Sequence, residues 1–467
     1  MLSQTEGLLL FAGYGIVMIA IVIIGSKERQ SLDDFLLMQR NLGVFRGSLS
    51  MAVSWIWAPA IFICSLQAYE QGIPGVFWFT VPNILTFFVF AFFAVKMREK
   101  IPEGYAISDV FRFRFPDTPF LHASAKVVTF GYQLGAIIIN CVAGATLINL
   151  LSGIQYEYGV LLMAGLSLAY SLLSGLRASV ISDVAQMGLI LTLSIIIVPW
   201  VLIESGGLSS LKAGLGGVSG EYDNLFNWQV AYAFGIATTL GLISGPIADQ
   251  MFSQRAFAAK RNTLVKIFIF SGLIFGIVPI VLSILGFIGA GAEREGFLVV
   301  ENAQMVGPQV ISHFLPNWAL ALFAVMAFAG LTSTLDSAFT AIGSLSADKY
   351  KNGDLASKSK ARLGMSVFAF IGVAIALLNP KLLWVFLIYG ALASSIFIPS
   401  FLALHWKKLS SRATSIGITL SIAIGIPLSV YANVNENSDL IVLSAIVSFV
   451  LSGVICWAFS LVLRDEN

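Results

Sequence analysis

Ser54-Trp55-Ile56-Trp57-Ala58-Pro59 lies inside an apolar stretch long enough to cross a membrane, and its proline interrupts the helix that would carry it. A helix-interior proline removes one backbone hydrogen bond, and its ring clashes with the preceding turn. A second interruption stands further along, where Gly241 is followed by Ser244-Gly245-Pro246 and then by Asp249 and Gln250. Each belongs to the first of five consecutive apolar spans, 46 to 203 and 228 to 405, and the two runs begin in opposite directions through the membrane. Broken segments at matching positions of two inverted halves mark a secondary-transporter binding site, because the freed backbone groups line a cavity. Taken singly, each proline reads as a kink that neighbouring helices tolerate.

At roughly 20 apolar residues per crossing, spans are expected near 6–25, 46–71, 74–97, 120–151, 158–175, 179–203, 228–253, 263–290, 317–346, 362–379, 381–405, 413–432 and 440–463. The fold class is therefore an all-α polytopic membrane protein of about thirteen helices. It has three parts: an outer helix and cytoplasmic loop (1–45), an inverted-repeat core (46–405) and C-terminal outer helices (406–467). The stretch 98–119, with Phe111-Arg112-Phe113-Arg114-Phe115, reads as an amphipathic segment lying on headgroups.

Charge sets the orientation. All but four of the 27 Lys and Arg residues, from Lys27, Arg29, Arg40 and Arg46 through Arg255 and Lys260 to Arg464, fall on one side of this ladder. The exceptions are Lys212, Arg294 and Lys381 opposite, and Lys126 early in a span. Basic loops resist translocation, so the N-terminus is expected outside and the C-terminus inside a plasma (inner) membrane. A hydrophobic fraction of 57 %, a charged fraction of 11 % and a mean hydropathy of +0.87 are outside the soluble range. The net charge of +2 comes from residues at membrane edges and gives no reason to expect a nucleic acid. Cys64, Cys141 and Cys456 sit in apolar segments without metal or redox spacing and read as packing residues.

A carboxylate at the bilayer centre costs roughly 2.5 to 3.5 kcal/mol on insertion scales, so Asp183, Asp249 and Asp336 need a reason. Asp183 is within reach of Arg177, Asp249 adjoins the second interruption, and Asp336 follows three hydroxyls in Ala329-Gly330-Leu331-Thr332-Ser333-Thr334-Leu335-Asp336-Ser337. Helical spacing places 329, 332, 333 and 336 on one face. Oxygen ligands of that kind suit a small hard cation, with carbonyls of a facing broken helix completing the shell. The alternative is that the hydroxyls bond their own backbone or neighbouring helices.

These residues resemble the sodium/solute symporters over essentially the whole chain. The likeness is carried by Ser174-Gly175-Leu176-Arg177-Ala178-Ser179-Val180-Ile181-Ser182-Asp183-Val184-Ala185-Gln186, by Asp249-Gln250-Met251-Phe252-Ser253-Gln254-Arg255-Ala256-Phe257-Ala258-Ala259-Lys260, and by Thr332-Ser333 followed by Asp348-Lys349-Tyr350-Lys351. The resemblance implies a sodium site made by Val53, Ile56, Ala329, Thr332 and Ser333, and a second cation near Asp183 and Asp336. Leu335 stands where relatives keep a hydroxyl of that second site. It also implies a solute site between the broken helices and the third span, at Trp55, Trp57, Trp78, Asn83, Asp249 and Gln250. Trp55, Trp57 and Gly72-Ile73-Pro74-Gly75-Val76-Phe77-Trp78 look similar to the urea-transporting branch, although interfacial tryptophans also serve as anchors.

The expected function is sodium-coupled symport of a small polar solute, urea foremost, by alternating access, with sodium as coupling ion, no other cofactor, and lipid as surroundings. Proton coupling, another solute (proline, a sugar, a carboxylate), a channel and a solute sensor are the rivals. No Walker A loop is present. His122, His313 and His405 stand near span ends without a nucleophile-and-base pairing, so an enzyme is not expected.

Overall fold

The computed structural model describes residues 2–25, 31–347 and 354–463. Lys27, Arg29, the Asp348–Lys351 motif and Arg464 lie outside them. Among the described residues every regular element is a helix, apart from one isolated parallel bridge between Leu42 and Ala259. Large apolar side chains such as Phe92 and Phe370 are 77 % and 76 % exposed, the signature of a surface facing lipid. The protein is an integral membrane protein.

Among the described residues, twelve helices are long and apolar enough to cross a membrane, against the expected thirteen. The difference lies in one place. The expected span 46–71 is divided between a short helix, Val44–Ser54, and the start of a 42-residue helical run, Pro59–Lys100. That run is itself bent at Gly72, whose backbone (φ 60°, ψ −148°) is closed to a residue with a Cβ. A Cβ at Gly72 would also meet the Leu215 carbonyl at 2.4 Å, because the outer loop folds onto the bend and Ile73 N–H donates to that same oxygen. Gly175 repeats the device in the Tyr156–Glu204 helix, packing against the Phe35 carbonyl and separating Tyr156–Leu173 from Gly175–Glu204.

The second interruption falls later than Pro246. The Ile236–Ala248 helix runs through the proline and stops at Asp249, which is extended (φ −83°, ψ 111°) and opens the Gln250–Ala258 helix. Pro246 has no N–H for the Leu242 carbonyl, and the Thr86 hydroxyl supplies the missing bond. Around these two broken elements stand the Pro119–Ser152, Leu264–Arg294, Asn317–Ser346 and Leu382–His405 helices. Gln4–Gly25 packs outside them against Tyr156–Glu204, and Ser411–Val434 and Ser438–Val462 pack together against Leu382–His405. The expected amphipathic segment is a short helix, Asp109–Arg114, that buries Phe111 and turns Phe113 outward.

Candidate functional site

The first break is held open by side chains from two helices and by its own tryptophans. Ala58 N–H donates to Asn140 Oδ1 at 2.9 Å, Trp55 Nε1 to Asn83 Oδ1 at 2.9 Å, and Trp57 Nε1 back to the Ser54 carbonyl at 2.9 Å. The backbone between Ser54 and Ala58 thus leaves helical geometry with the Trp55, Ile56 and Ala58 N–H groups bonded to Ala52 O, Val53 O and Asn140 Oδ1. Thr334 Oγ1 reaches two of its carbonyls, Ser54 O at 3.4 Å and Ile56 O at 3.3 Å. Gly330, one turn earlier on the same face, lies so close that a Cβ would meet the Ile56 carbonyl at 3.3 Å.

This geometry corrects the expected face of the Asn317–Ser346 helix. Thr332 points away from the break: its hydroxyl donates to the Phe328 carbonyl (2.7 Å), lies 2.6 Å from Tyr14 Oη and accepts from Gln186 Nε2 (3.1 Å). Ser333 donates to Asp183 Oδ1 at 2.6 Å. Thr334 and Gly330 therefore face the break at Ile56, while Ser333 turns to Asp183 and Thr332 to Tyr14 and Gln186.

Asp183 and Asp336 do not share a partner. Asp183 forms a fully buried ion pair with Arg255 (Nη2 to Oδ2, 2.9 Å) and accepts from Ser50 at 2.5 Å. Arg255 also donates to Ser50 Oγ (2.9 Å) and Ser337 Oγ (2.8 Å), tying together Val44–Ser54, Gly175–Glu204, Gln250–Ala258 and Asn317–Ser346. Sequence reading placed Arg255 in a cytoplasmic connection; it is 0 % exposed. The suspected Asp183–Arg177 pair is absent, since Arg177 bonds Asp34 at 2.7 Å. Asp336 accepts from Ser171 at 2.6 Å through Oδ1.

Between the broken helices lies a small cavity of ≈ 30 Å³. Trp55, Trp57 and Asn83 line it, together with Phe79, Tyr132, Thr238 and Tyr389, which the sequence alone does not single out. Among the described residues no acidic or basic side chain lines it. The Thr238 hydroxyl has no protein partner. Three expected solute residues lie elsewhere. Asp249 caps the second broken helix through Met251 N–H (2.8 Å) and accepts from Gln133 (2.8 Å). Gln250 bonds Tyr105 O, Ile107 N–H and Ser344 Oγ. Trp78 packs on Gly235 outside the cavity.

Comparison with known proteins gives one consistent answer. The sequence model described as "Sodium:solute symporter family" matches residues 35–421. The urea-proton symporter DUR3 of Oryza sativa subsp. japonica is 23 % identical over 414 residues, covering 80 % of this chain and 57 % of the rice protein. The sodium/pantothenate symporter of Escherichia coli (strain K12) is 22 % identical over 457 residues, covering 92 % of each chain. Among solved structures, a Na+-coupled sialic acid symporter in a substrate-bound outward-open state superposes with a TM-score of 0.77 at 15 % identity, covering 99 % of this chain and 98 % of that one. MhsT in complex with L-phenylalanine superposes with a TM-score of 0.58 at 15 % identity, covering 89 % and 98 %. The family and its structural neighbours are transporters, not enzymes.

Proposed function

The chain belongs to the sodium:solute symporter family, and from that membership we propose that it couples sodium entry to uptake of a small, uncharged polar solute, urea foremost. The observation that carries this reading is that one break, Ser54 to Ala58, offers carbonyls to the Thr334 hydroxyl of the Asn317–Ser346 helix on one side and tryptophans to the cavity on the other. Ion and solute thus act on the same flexible element, so occupancy of both favours one closed state, as coupling requires.

The sodium ligands are the Val53 and Ile56 carbonyls and the Ser333 hydroxyl, with Thr334 taking the part expected of Thr332 and the Gly330 carbonyl that of Ala329. One sodium moves per cycle. Asp183 already has its counter-charge in Arg255, so a second mobile cation gains little there. The inverted repeat, 46–203 and 228–405, rocks about this centre, with the N-terminus outside and the C-terminus in the cytoplasm.

The solute is neutral because an ion in a cavity lined without acidic or basic side chains keeps its desolvation cost uncompensated. It is small because ≈ 30 Å³ holds about two waters, at about 10–15 Å³ each counted the same way. Trp55 and Trp57 offer aromatic faces, and Thr238, Tyr132 and Tyr389 offer hydroxyls, which suits a flat molecule with amide-like donors and acceptors. The urea-proton symporter among the relatives supports the same class. Radiolabelled urea, proline and pantothenate, each offered to proteoliposomes with and without a sodium gradient, test this reading. Sodium-driven urea uptake is expected; sodium-driven uptake of a carboxylate alone would refute the neutral-solute assignment.

A further inference from the structure

A second cavity, of ≈ 260 Å³, lies at the far end of the Asn317–Ser346 helix, beside Ser344. Its wall includes Arg112 of the Asp109–Arg114 helix, Lys126 from the first turns of Pro119–Ser152, and Lys360 of Asp354–Ala376. One carboxylate, Asp109, faces these three cations, and its Oδ2 is already engaged by the backbone N–H groups of Tyr105 (2.8 Å) and Ala106 (3.2 Å). Among the described residues, Lys126 and Lys360 take part in no ion pair. Lys126 is also the basic residue that the charge ladder leaves unexplained.

Positive-inside placement distributes basic residues along a rim. Here they face one hollow between helix ends, the arrangement that takes phosphate headgroups on the cytoplasmic side of membrane proteins. Phe113 and Phe120 on the flanking helices are 59 % and 61 % exposed, so the hollow opens beside lipid. It also adjoins the second broken helix. Gln250, directly after the break, donates to the Tyr105 carbonyl (2.8 Å) and Ser344 Oγ (2.9 Å), and both residues line the hollow.

We propose that this cavity binds a phosphate-bearing anion, delivered by a phospholipid headgroup or by free phosphate, and that the bound anion holds the cytoplasmic end of the second broken helix in place through Gln250. The link to closure rests on the symport mechanism above; the binding does not.

The test uses the full-length protein in neutral phosphatidylcholine nanodiscs, titrated with inorganic phosphate in one arm and prepared with rising phosphatidylglycerol in the other. Thermal stability and hydrogen exchange over residues 250–258 are read. At least one ligand is expected to raise stability and slow exchange there, with Lys126→Gln and Lys360→Gln each weakening the effect about fivefold. The control pair Lys407→Gln and Lys408→Gln should leave it unchanged. A response to phosphate alone identifies the free anion as ligand, and a response to phosphatidylglycerol alone identifies the lipid. No response in the wild type, or an equal loss in the control pair, overturns the site. Stabilisation without slower exchange at 250–258 overturns the link to the broken helix. These readouts need no transported solute, so failure of the symport mechanism cannot be mistaken for failure of the site.

Discussion

Thr334→Val is the substitution that separates an ion ligand from a packing hydroxyl. The replacement keeps the shape and removes one oxygen. Its bonds to Ser54 O and Ile56 O, at 3.4 and 3.3 Å, are long for a hydroxyl donor. Their loss should cost less than the roughly 0.6 kcal/mol average for a hydrogen bond between membrane helices. If the same oxygen completes a sodium shell, its removal leaves a partly dehydrated cation under-coordinated, and a tenfold loss of affinity, about 1.4 kcal/mol, is expected. Sodium binding stabilises the folded state by RT ln(1 + [Na+]/Kd). The variant should therefore melt like the wild type without sodium and lose about 1.4 kcal/mol of sodium-dependent stabilisation at high sodium. Thr332→Val is the mirror case: it breaks contacts with Tyr14 and Gln186 and should destabilise equally with and without sodium. A sodium-specific defect in Thr332→Val, with Thr334→Val indifferent to sodium, would refute this assignment.

Other substitutions probe the surrounding parts. Arg255→Gln strands the Asp183 carboxylate in a fully buried position and should cost about 3–5 kcal/mol; in Arg255→Gln/Asp183→Asn, measured by thermal unfolding, much of that loss should return. Asp249→Ala removes a helix cap, so about 1 kcal/mol of stability should go while the KM for labelled urea holds. Trp57→Ala should do the reverse, raising KM with thermal stability of the sodium-free protein kept largely intact. One charge should cross per solute; since 100 mV acting on each charge changes attainable accumulation roughly fifty-fold, a measured charge-to-solute ratio near two would overturn the single-sodium assignment.

Much of the architecture is written in local chemistry. Apolar run lengths report bilayer thickness, and Pro59 and Gly245-Pro246 each mark a disturbed helix, so both interruptions were legible. Pro246 misled as to position, because Thr86 repairs the helix from far away in sequence. Three successive hydroxyls defeat periodicity in the proposed ion site. Successive residues are about 100° apart on the helix, and the contact of Thr332 with Tyr14, from the Gln4–Gly25 helix, goes with Thr334 meeting the break. Arg255 looked like a loop cation for the same reason. Its partners Ser50, Asp183 and Ser337 are remote in sequence, and only the packed helices reveal that a full charge is matched there. The cavity residues Tyr132 and Tyr389 carried no local signal, being ordinary aromatics in apolar helices until the fold turns them inward.

The most direct measurement is labelled urea uptake into proteoliposomes at fixed pH and clamped voltage, with sodium inside only, outside only, or equal on both sides. Inward-directed sodium should drive accumulation above equilibrium, equal sodium should give equilibration only, and Thr334→Val should need about tenfold more sodium for the half-maximal rate. Accumulation that follows an imposed proton gradient and ignores sodium would contradict the account.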